Sequence, residues 1–379
     1  MRRIRALAGE RLDWAWVLAV ARPHGILPLL HHHLCAADGA VPAVVLDSLR
    51  RRAEADAQRN LRLAGELLRL LDRFAAHDVS VVPYKGPVLA MRCYGDLALR
   101  PFRDLDFLVH QQDFACAERV LVAEGFRSPL GRTPREEALT RADTGQGAFW
   151  RDGDIVELHW AFLPREFPLP LDLGELWARL EPVPLGARSV LTLCDEHLLL
   201  VLCAHGARHR WERLEWICDL AELLRRAPDL DLPRALERAR TLGAERMVLL
   251  GLRLVTDLLD VPLPDGVRER VATDSAVAAL ARLVRNGLFR HTPGTMHERW
   301  ELRLFQLRTR ERWRDRARFA ARVAFQPTLG DLTWLPLPDV LYPLYYVARP
   351  VRLIAKYGLG RRGTESEVPH AAPSQKELS

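Results

Sequence analysis

The stretch Leu99-Arg-Pro-Phe-Arg-Asp-Leu-Asp-Phe-Leu-Val-His110 sets two aspartates, Asp104 and Asp106, directly before an apolar run. Side chains at positions i and i+2 of an extended strand project from the same face. The run Phe107-Leu-Val109 is typical of a central strand that is buried on both faces. The sequence therefore predicts a rigid strand that starts with two carboxylates held side by side.

These two carboxylates repel each other unless a positive charge lies between them, and a hard divalent cation is the usual partner. Arg100 and Arg103 lie in the same stretch and add donors suited to phosphate. A cation site beside such arginines indicates phosphoryl or nucleotidyl transfer. The alternative is a strand end whose solvated aspartates pair with the two arginines, because short motifs often occur by chance.

A turn upstream of the aspartates has the pattern of an anion site. Asp78 to Tyr84 is predicted to be a strand, which Pro83 places at an edge or a strand end, and Val88 to Tyr94 is predicted to be a short helix. Lys85-Gly86-Pro87 joins the two, and unpaired N–H groups point outward at such a helix N-terminus. Lys85 is one of only three lysines in the chain, so it is either a phosphate ligand or an ordinary loop lysine.

A third acidic residue follows in a predicted hairpin. Asp152-Gly153 lies between two β-prone runs, which is a strong signal for a type I′ turn. In the second strand Glu157 and His159 share one face. If this strand neighbours that of Asp106, then Glu157 is a third carboxylate for the same metal site. His159 would then be a base or a partner of Glu157. The alternative is that both side chains lie on a solvated strand face.

Four motifs occur in order along the chain. They are Val82-Pro-Tyr-Lys-Gly86, Arg100-Pro-Phe-Arg-Asp-Leu-Asp-Phe-Leu-Val109, Ile155-Val-Glu-Leu-His-Trp160, and His205-Gly-Ala-Arg-His-Arg-Trp211 with its continuation to Asp219. Together they resemble a poorly characterised nucleotidyltransferase family of the polymerase-β-like superfamily. The resemblance implies an α+β fold in which a small mixed sheet is flanked by helices. It also implies Asp104 and Asp106 as metal ligands and Glu157 as the third acidic position.

One turn departs from the pattern of better-studied members of that superfamily. Those proteins carry a Gly-Ser turn that holds the nucleotide phosphates, whereas this chain has Lys85-Gly86-Pro87. Proline at this position also removes a backbone donor. Nucleotide binding is therefore expected to rest on Lys85, the backbone of Gly86, and Arg100 and Arg103.

A polar and aromatic cluster lies in the helical second half. His205 and His209 are four residues apart, a spacing that places both imidazoles on one helical face. With Trp211 and Asp219 they are expected to border the cleft, as part of an acceptor pocket or in support of the catalytic residues. No H-E-x-x-H pattern is present, so a zinc site is not predicted. Structural histidines with satisfied hydrogen bonds are the alternative.

Composition narrows the class of protein. A chain of 379 residues is long enough for two or three packed units, and its net charge of +6 does not favour a nucleic-acid partner. The six cysteines form no C-x-x-C pair, which is typical of reduced thiols in a cytoplasmic protein. No segment approaches the ~20 apolar residues of a membrane span, so no membrane partner is expected.

The predicted organisation has four parts. An N-terminal helical region (1–77) precedes the nucleotidyltransferase-like core (78–165), a C-terminal helical domain (166–360) and a disordered tail (361–379). The proline-rich stretch from Pro164 to Pro184 is interpreted as a connector or a domain boundary.

The functional hypothesis is an enzyme dependent on Mg²⁺ (or Mn²⁺). It would move the nucleoside monophosphate of an NTP such as ATP to a hydroxyl of an unidentified small molecule or protein. Two alternatives stay open. One is a non-catalytic binding protein that retains the fold, which the missing serine turn supports. The other is a nucleotidyltransferase that acts on RNA, which would show a basic groove and steep salt dependence.

Overall fold

The computed structural model describes residues 2–37, 39–128, 141, 144–164, 167, 169–289 and 296–357. The predicted tail at 361–379 lies outside these residues. Within them the chain has the expected α+β architecture, a small mixed sheet between helices that precede and follow it. The predicted boundaries between the four parts stay predictions.

The first 75 residues form helices, as the sequence indicated. They are α1 (Arg2–Ala8), α2 (Trp14–Ala21), α3 (Leu27–Cys35) and α4 (Ala43–Ala75). Helix α4 has 33 residues, which corresponds to a length of about 50 Å. Leu63, Leu67, Leu70 and Phe74 recur every three or four residues and bury one face of this helix against the sheet.

The central sheet has four strands in the order β1-β2-β4-β3. Its strands are β1 (Val81–Pro83), β2 (Asp104–Val109), β3 (Gln146–Arg151) and β4 (Asp154–His159). β1 is antiparallel to β2, β2 is parallel to β4, and β3 and β4 form an antiparallel hairpin. Two predictions are confirmed: β2 is central, and Pro83 lies in an edge strand, where a missing N–H is tolerated.

The turn between β3 and β4 also agrees with the sequence. Asp152 and Gly153 have φ angles of 49° and 88°, and a type I′ turn requires positive φ at both central residues. The turn fixes the hairpin register, in which Ala148 pairs with Glu157. The two-residue periodicity of β4 then sends Val156 and Leu158 to the opposite face.

The two faces of the sheet differ in what covers them. Leu105, Phe107 and Val109 of β2 pack with α4 and with α6 (Phe114–Ala123) in one apolar cluster. On the other face Leu108 belongs to a second and larger cluster, together with the C-terminal helices and α5 (Gly86–Tyr94). On this second face, β2 begins with Asp104 and Asp106 and continues with Leu108. The first part of this strand face is therefore polar, and the part that follows it is apolar.

The C-terminal half is largely helical. Its helices are α7 (Leu173–Ala178), α8 (Asp195–Arg208), α9 (Leu214–Arg226), α10 (Leu232–Leu242), α11 (Glu245–Leu259), α12 (Asp265–Thr273), α13 (Ser275–Gly287), α14 (Met296–Arg308), α15 (Trp313–Phe325), α16 (Leu329–Trp334) and α17 (Tyr345–Tyr357). Short 3₁₀ turns occur at Gln111–Asp113 and Asp339–Leu344. None of the helices in the described part of the chain has the length and apolarity of a membrane span.

The stretch 164–184, interpreted as a connector or a domain boundary, contains regular structure near its end. β5 (Glu181–Leu185) pairs with β6 (Arg188–Thr192) in a separate hairpin. Val183 and Val190 point inward, whereas Pro182 and Pro184 are exposed. The prolines hid the strand in the sequence because proline cannot donate to a ladder, but in a two-stranded sheet both strands are edges.

Candidate active site

The parallel pairing of β2 with β4 brings the predicted carboxylates to one face. Asp106 lies opposite Glu157 and Asp104 lies opposite Ile155, so the residues that alternate with the buried apolar ones share a face. His159 is two residues beyond Glu157 on that same face. The structure therefore brings together all three predicted carboxylates and the predicted histidine.

The closest set of potential metal ligands consists of Asp106, Glu157 and His159. One ligand atom from each residue lies within 4.8 Å of those from the other two. His159 Nε2 lies 3.1 Å from Asp106 Oδ1 and 3.2 Å from Glu157 Oε2. The amide of Gln146 on β3 donates to Glu157 Oε2 at 3.1 Å. Two carboxylates and an imidazole at these distances form a group that could hold a metal ion.

The charges around Asp106 keep this carboxylate ionised. Its side chain is almost fully buried, and Lys85 Nζ lies 3.6 Å from Oδ1. Burial alone would raise the pKa of Asp106, but Lys85 and the hydrogen bond from His159 hold that pKa at about 2. Burial alone would lower the pKa of His159, but its hydrogen bonds to Asp106 and Glu157 raise it above the ordinary value.

Asp104 is the carboxylate that lacks such compensation. It does not belong to the set of atoms within 4.8 Å of one another. Burial, followed by the negative charges of Asp106 and Glu157, raises the pKa of Asp104 to about 7. The protein therefore concentrates more negative charge here than its own cations neutralise, which is the condition that favours binding of a divalent cation.

The turn at Lys85 contacts the start of β2. Lys85 is the N-cap residue of α5, and Gly86 follows with a φ of +55°. A Cβ at Gly86 would lie 3.2 Å from the carbonyl oxygen of Asp104, so both the conformation and the space favour glycine. This close approach brings the N-terminus of a nine-residue helix beside the carboxylates.

A cavity of about 540 Å³ opens over these residues. Its wall combines the N-terminal helices, the turn at Lys85, the start of β2 and the segment from α8 to α9. The lining residues include Arg22, Gly25, Arg52, Asp56, Arg59, Lys85, Gly86, Arg100, Phe102, Arg103, Asp104, Asp106, His205, His209, Glu212, Arg213, Glu215 and Trp216. The cavity thus joins the acidic group to residues from distant parts of the chain.

Arg100 occupies a different environment from the one expected of a phosphate ligand. Its guanidinium is buried and donates to both carboxylate oxygens of Asp219, at 2.8 and 3.0 Å. Tyr94 also donates to Asp219, and Glu215 lies 3.4 Å from Arg100. Arg100 reaches the cavity wall, and its Nε and Nη2 atoms are engaged by Asp219. Arg103, in contrast, is exposed on the same wall.

The histidines of α8 line the cavity, as predicted. The rings of His205 and His209 lie 4.8 Å apart, and both contact the ring of Trp216. Burial, with Lys85 nearby, lowers the pKa of His205 well below its ordinary value, and burial with Arg208 lowers that of His209 to about 3. Both rings are therefore neutral at pH 7.

Trp211 does not lie with these histidines in the cavity wall. It is fully buried and packs on Gly206 and Gly251, where a Cβ would meet its ring at 2.4 Å and 3.1 Å respectively. Trp216 takes the position expected of Trp211. Trp216 is the third residue of α9, and the motif itself does not distinguish it from Trp211.

The N-terminal part of the wall was missed in the sequence. Arg52, Asp56 and Arg59 are spaced like one face of a helix, and α4 presents them to the cavity. The loop before α3 docks on the start of α9, where the carbonyl of His24 accepts from the backbone N–H of Glu215 at 3.1 Å. The helical spacing of these charged residues in α4 was the signal in the sequence. It did not identify a cavity wall, because charged residues with that spacing usually form a solvated face.

A sequence model of a protein family described as an uncharacterised nucleotidyltransferase matches residues 10–260. The matched range contains every residue that lines the cavity. No curated protein matches the chain.

Proposed function

The chain belongs to the uncharacterised nucleotidyltransferase family, and from this premise we propose a metal-dependent transfer of a nucleoside monophosphate from an NTP to an acceptor hydroxyl. The observation that carries the proposal is the group formed by Asp106, Glu157 and His159 on one face of two parallel strands. This group lies beside the helix N-terminus at Lys85. A metal site next to an anion site is what such a transfer requires.

The donor set fits Mg²⁺ or Mn²⁺. Asp106 and Glu157 would hold the ion, and the charge of Asp104 would add to its binding. When bound, the ion would polarise the phosphate oxygens and offset the charge that develops on the leaving pyrophosphate. His159 contacts both Asp106 and Glu157, so we assign it to fixing their orientation.

Lys85, the Gly86 backbone and Arg103 are the proposed nucleotide contacts. Lys85 lines the cavity and lies 3.6 Å from Asp106, close enough to contact a phosphate that shares the metal. Arg103 is exposed on the same wall. Arg100, which the sequence indicated as a further nucleotide contact, pairs with Asp219 and so ties the loop before β2 to α9.

In the proposed reaction, one bond forms and one bond breaks at the α-phosphorus. The acceptor oxygen bonds to the α-phosphorus, while the bond from that phosphorus to the bridging oxygen of pyrophosphate breaks. The hydroxyl proton leaves to solvent, and pyrophosphate carries away the electron pair of the broken bond.

The neutral rings of His205 and His209, with Trp216, would contact the acceptor as hydrogen-bonding and stacking groups. The six cysteines are free thiols, which fits the proposed cytoplasmic location.

A thermal-shift screen tests this function. The full chain is melted with each of the four NTPs, with and without Mg²⁺ or Mn²⁺, and in parallel as Asp106→Asn. Ligand at 100 times its Kd adds about 2.7 kcal/mol to the apparent stability of the native state. We expect a rise in Tm that requires both metal and nucleotide and that is reduced in Asp106→Asn.

The other outcomes separate the alternatives. A chain whose Tm responds to no NTP with either metal would be a non-catalytic member that retains the fold. A chain that binds single-stranded RNA in low salt and releases it steeply as salt rises would be an enzyme acting on RNA. In each case the transfer to a small acceptor is wrong.

A further inference from the structure

Besides Arg103, two arginines of the cavity wall have no partner among the described residues. Arg22 ends α2 and Arg52 lies on α4, and both side chains are exposed where they line the cavity. Within the described ranges, the side chain of neither residue forms an ion pair or a hydrogen bond. In contrast, Arg59 pairs with Asp56, and Arg213 pairs with Glu215 at 2.7 Å. Arg22 and Arg52 are therefore free to bind an external anion.

The position of Arg52 follows from an anchor further along α4. The side chain of Asn60 donates to the carbonyls of Leu97 and Arg100, at 2.6 and 2.9 Å, and so holds α4 against the loop that leads into β2. Arg52 precedes Asn60 by eight residues, which corresponds to about 12 Å along the helix axis. Arg52 thus extends the cavity wall away from the point where the catalytic aspartates begin.

The charge of an NTP does not account for this second basic area. All negative charge of an NTP lies on its phosphates, and the proposed site holds these with Lys85, Arg103 and the metal. The base and the ribose are neutral and need no guanidinium. Seven basic side chains and five carboxylates line the cavity, and a divalent cation would make the balance still more positive. An NTP would offset this surplus in total, but its phosphates are assigned to Lys85, Arg103 and the metal group, so the unpaired Arg22 and Arg52 on the N-terminal helices are left for a second anion.

We propose that the acceptor is a phosphorylated small molecule, whose phosphate binds Arg22 and Arg52 while its hydroxyl faces the metal group. Two unpaired guanidinium groups in one cavity wall match the double charge of a phosphate monoester, and each guanidinium is a fork of donors suited to phosphate oxygens. This inference rests on the proposed function, because it assigns the second substrate of the same cavity. It excludes cationic acceptors such as polyamine-like or aminosugar compounds.

Calorimetric titration with inorganic phosphate tests the inference. The full chain is first saturated with Mg²⁺ and α,β-methylene ATP, which cannot release pyrophosphate, so that the nucleotide site is filled. Phosphate is then titrated into the wild type, into the double variant Arg22→Gln/Arg52→Gln, and into Arg282→Gln. Arg282 is a matched control because it is an exposed arginine on α13, outside the cavity wall.

We expect phosphate to bind the wild type and Arg282→Gln equally and to bind the double variant about tenfold more weakly or worse. The affinity for the nucleotide analogue should change by less than about twofold in all three proteins, since neither arginine contacts it. Acetate, which carries one charge, should bind more weakly than phosphate.

Three results would overturn the inference. These are no phosphate binding to the wild type, equal phosphate binding to the double variant, or a loss of nucleotide affinity as large as the loss of phosphate affinity. Failure of the proposed function would look different. The nucleotide analogue itself would then not bind, and a phosphate titration without nucleotide would still report on Arg22 and Arg52.

Discussion

Two buried clusters of charged side chains flank the loop that leads into β2. They differ in whether their positive groups are as many as their carboxylates. In the cluster of Arg100, each carboxylate faces a guanidinium: Asp219 pairs with Arg100, and Glu215 with Arg213. In the cluster of Asp106, three carboxylates share one lysine and one histidine. The first cluster is complete without a ligand, and the second is not.

The difference teaches how to separate a structural ion pair from a binding site. Burying a charge is costly unless a partner compensates it, so a fully paired cluster adds only to the architecture. An unbalanced cluster that the fold nevertheless maintains indicates a partner from outside the protein. Sequence motifs alone do not make this distinction, because both clusters contain residues of the same twelve-residue stretch.

The largest expected effect is on catalysis. Asp106→Asn removes a charged metal ligand and preserves volume, so nucleotide transfer should fall by about 1,000-fold or more. Because Asp106 is stabilised by Lys85 and His159, the variant should also unfold slightly more easily. Release of pyrophosphate measures the first effect and denaturant unfolding the second. Asp265→Asn, at an exposed aspartate outside the cavity wall, is the control, and full activity of Asp106→Asn would refute the catalytic assignment.

A substitution in the Arg100 cluster should instead lower the stability of the fold. Asp219→Ala leaves the buried Arg100 without its bidentate partner, so the free energy of unfolding should fall by about 3–5 kcal/mol. Denaturant unfolding measures it. Asp72→Ala, which breaks an exposed pair with Arg188, should leave the stability nearly unchanged.

An outcome opposite to this would remove the distinction between the clusters. If Asp219→Ala kept its stability but lost nucleotide affinity, then Arg100 would be a phosphate ligand, as the sequence first indicated. The structural role of the Arg100 pair would then be wrong.

Lys85→Ala should weaken nucleotide binding by about tenfold, because a charge-assisted phosphate contact is lost. The acidic group remains, so binding of Mn²⁺ in the absence of nucleotide should be kept or become tighter. Calorimetry with Mn²⁺ and then with the nucleotide analogue separates the two. Arg282→Ala serves as the control, and an unchanged nucleotide affinity in Lys85→Ala would make Lys85 an ordinary loop lysine.

The smallest expected effect is a gain in stability from Asp104→Asn in the absence of metal. The folded-state pKa of about 7 exceeds the ordinary 3.8, so the native state binds more protons and loses stability as pH rises between these values. At pH 7 with a chelator, the variant should therefore be more stable than the wild type. The advantage should vanish near pH 4. Unfolding curves at both pH values measure it, and an equal advantage at both would show that charge repulsion is not its cause.

Local patterns made much of the fold predictable. Asp152-Gly153 specifies its turn by backbone conformation, and the alternation after Asp104 specifies a strand buried on both sides. The carboxylates could be grouped because strand periodicity fixes which side chains share a face. Only the assumption that β2 neighbours β4 was non-local, and the structure confirms it.

Pairings between distant residues were out of reach. Arg100 looked like a phosphate ligand because its partner, Asp219, lies 119 residues away. Trp211 and Trp216 are both tryptophans near the motif histidines, and only packing against Gly206 and Gly251 decides which one is buried. The unpaired state of Arg22 is likewise a property of the assembled wall.

The parallel neighbours Asp106 and Glu157 lie 51 positions apart in the sequence, and the cavity joins residues from Arg22 to Trp216. Bringing such distant segments together costs loop-closure entropy before their contacts form, so we predict that this site assembles late in folding. Ligands that need the complete cavity would therefore meet it only after the folding barrier has been crossed. We expect bound metal and nucleotide to slow unfolding and to leave the rate of refolding unchanged. Bound nucleotide would then lengthen the lifetime of the folded state.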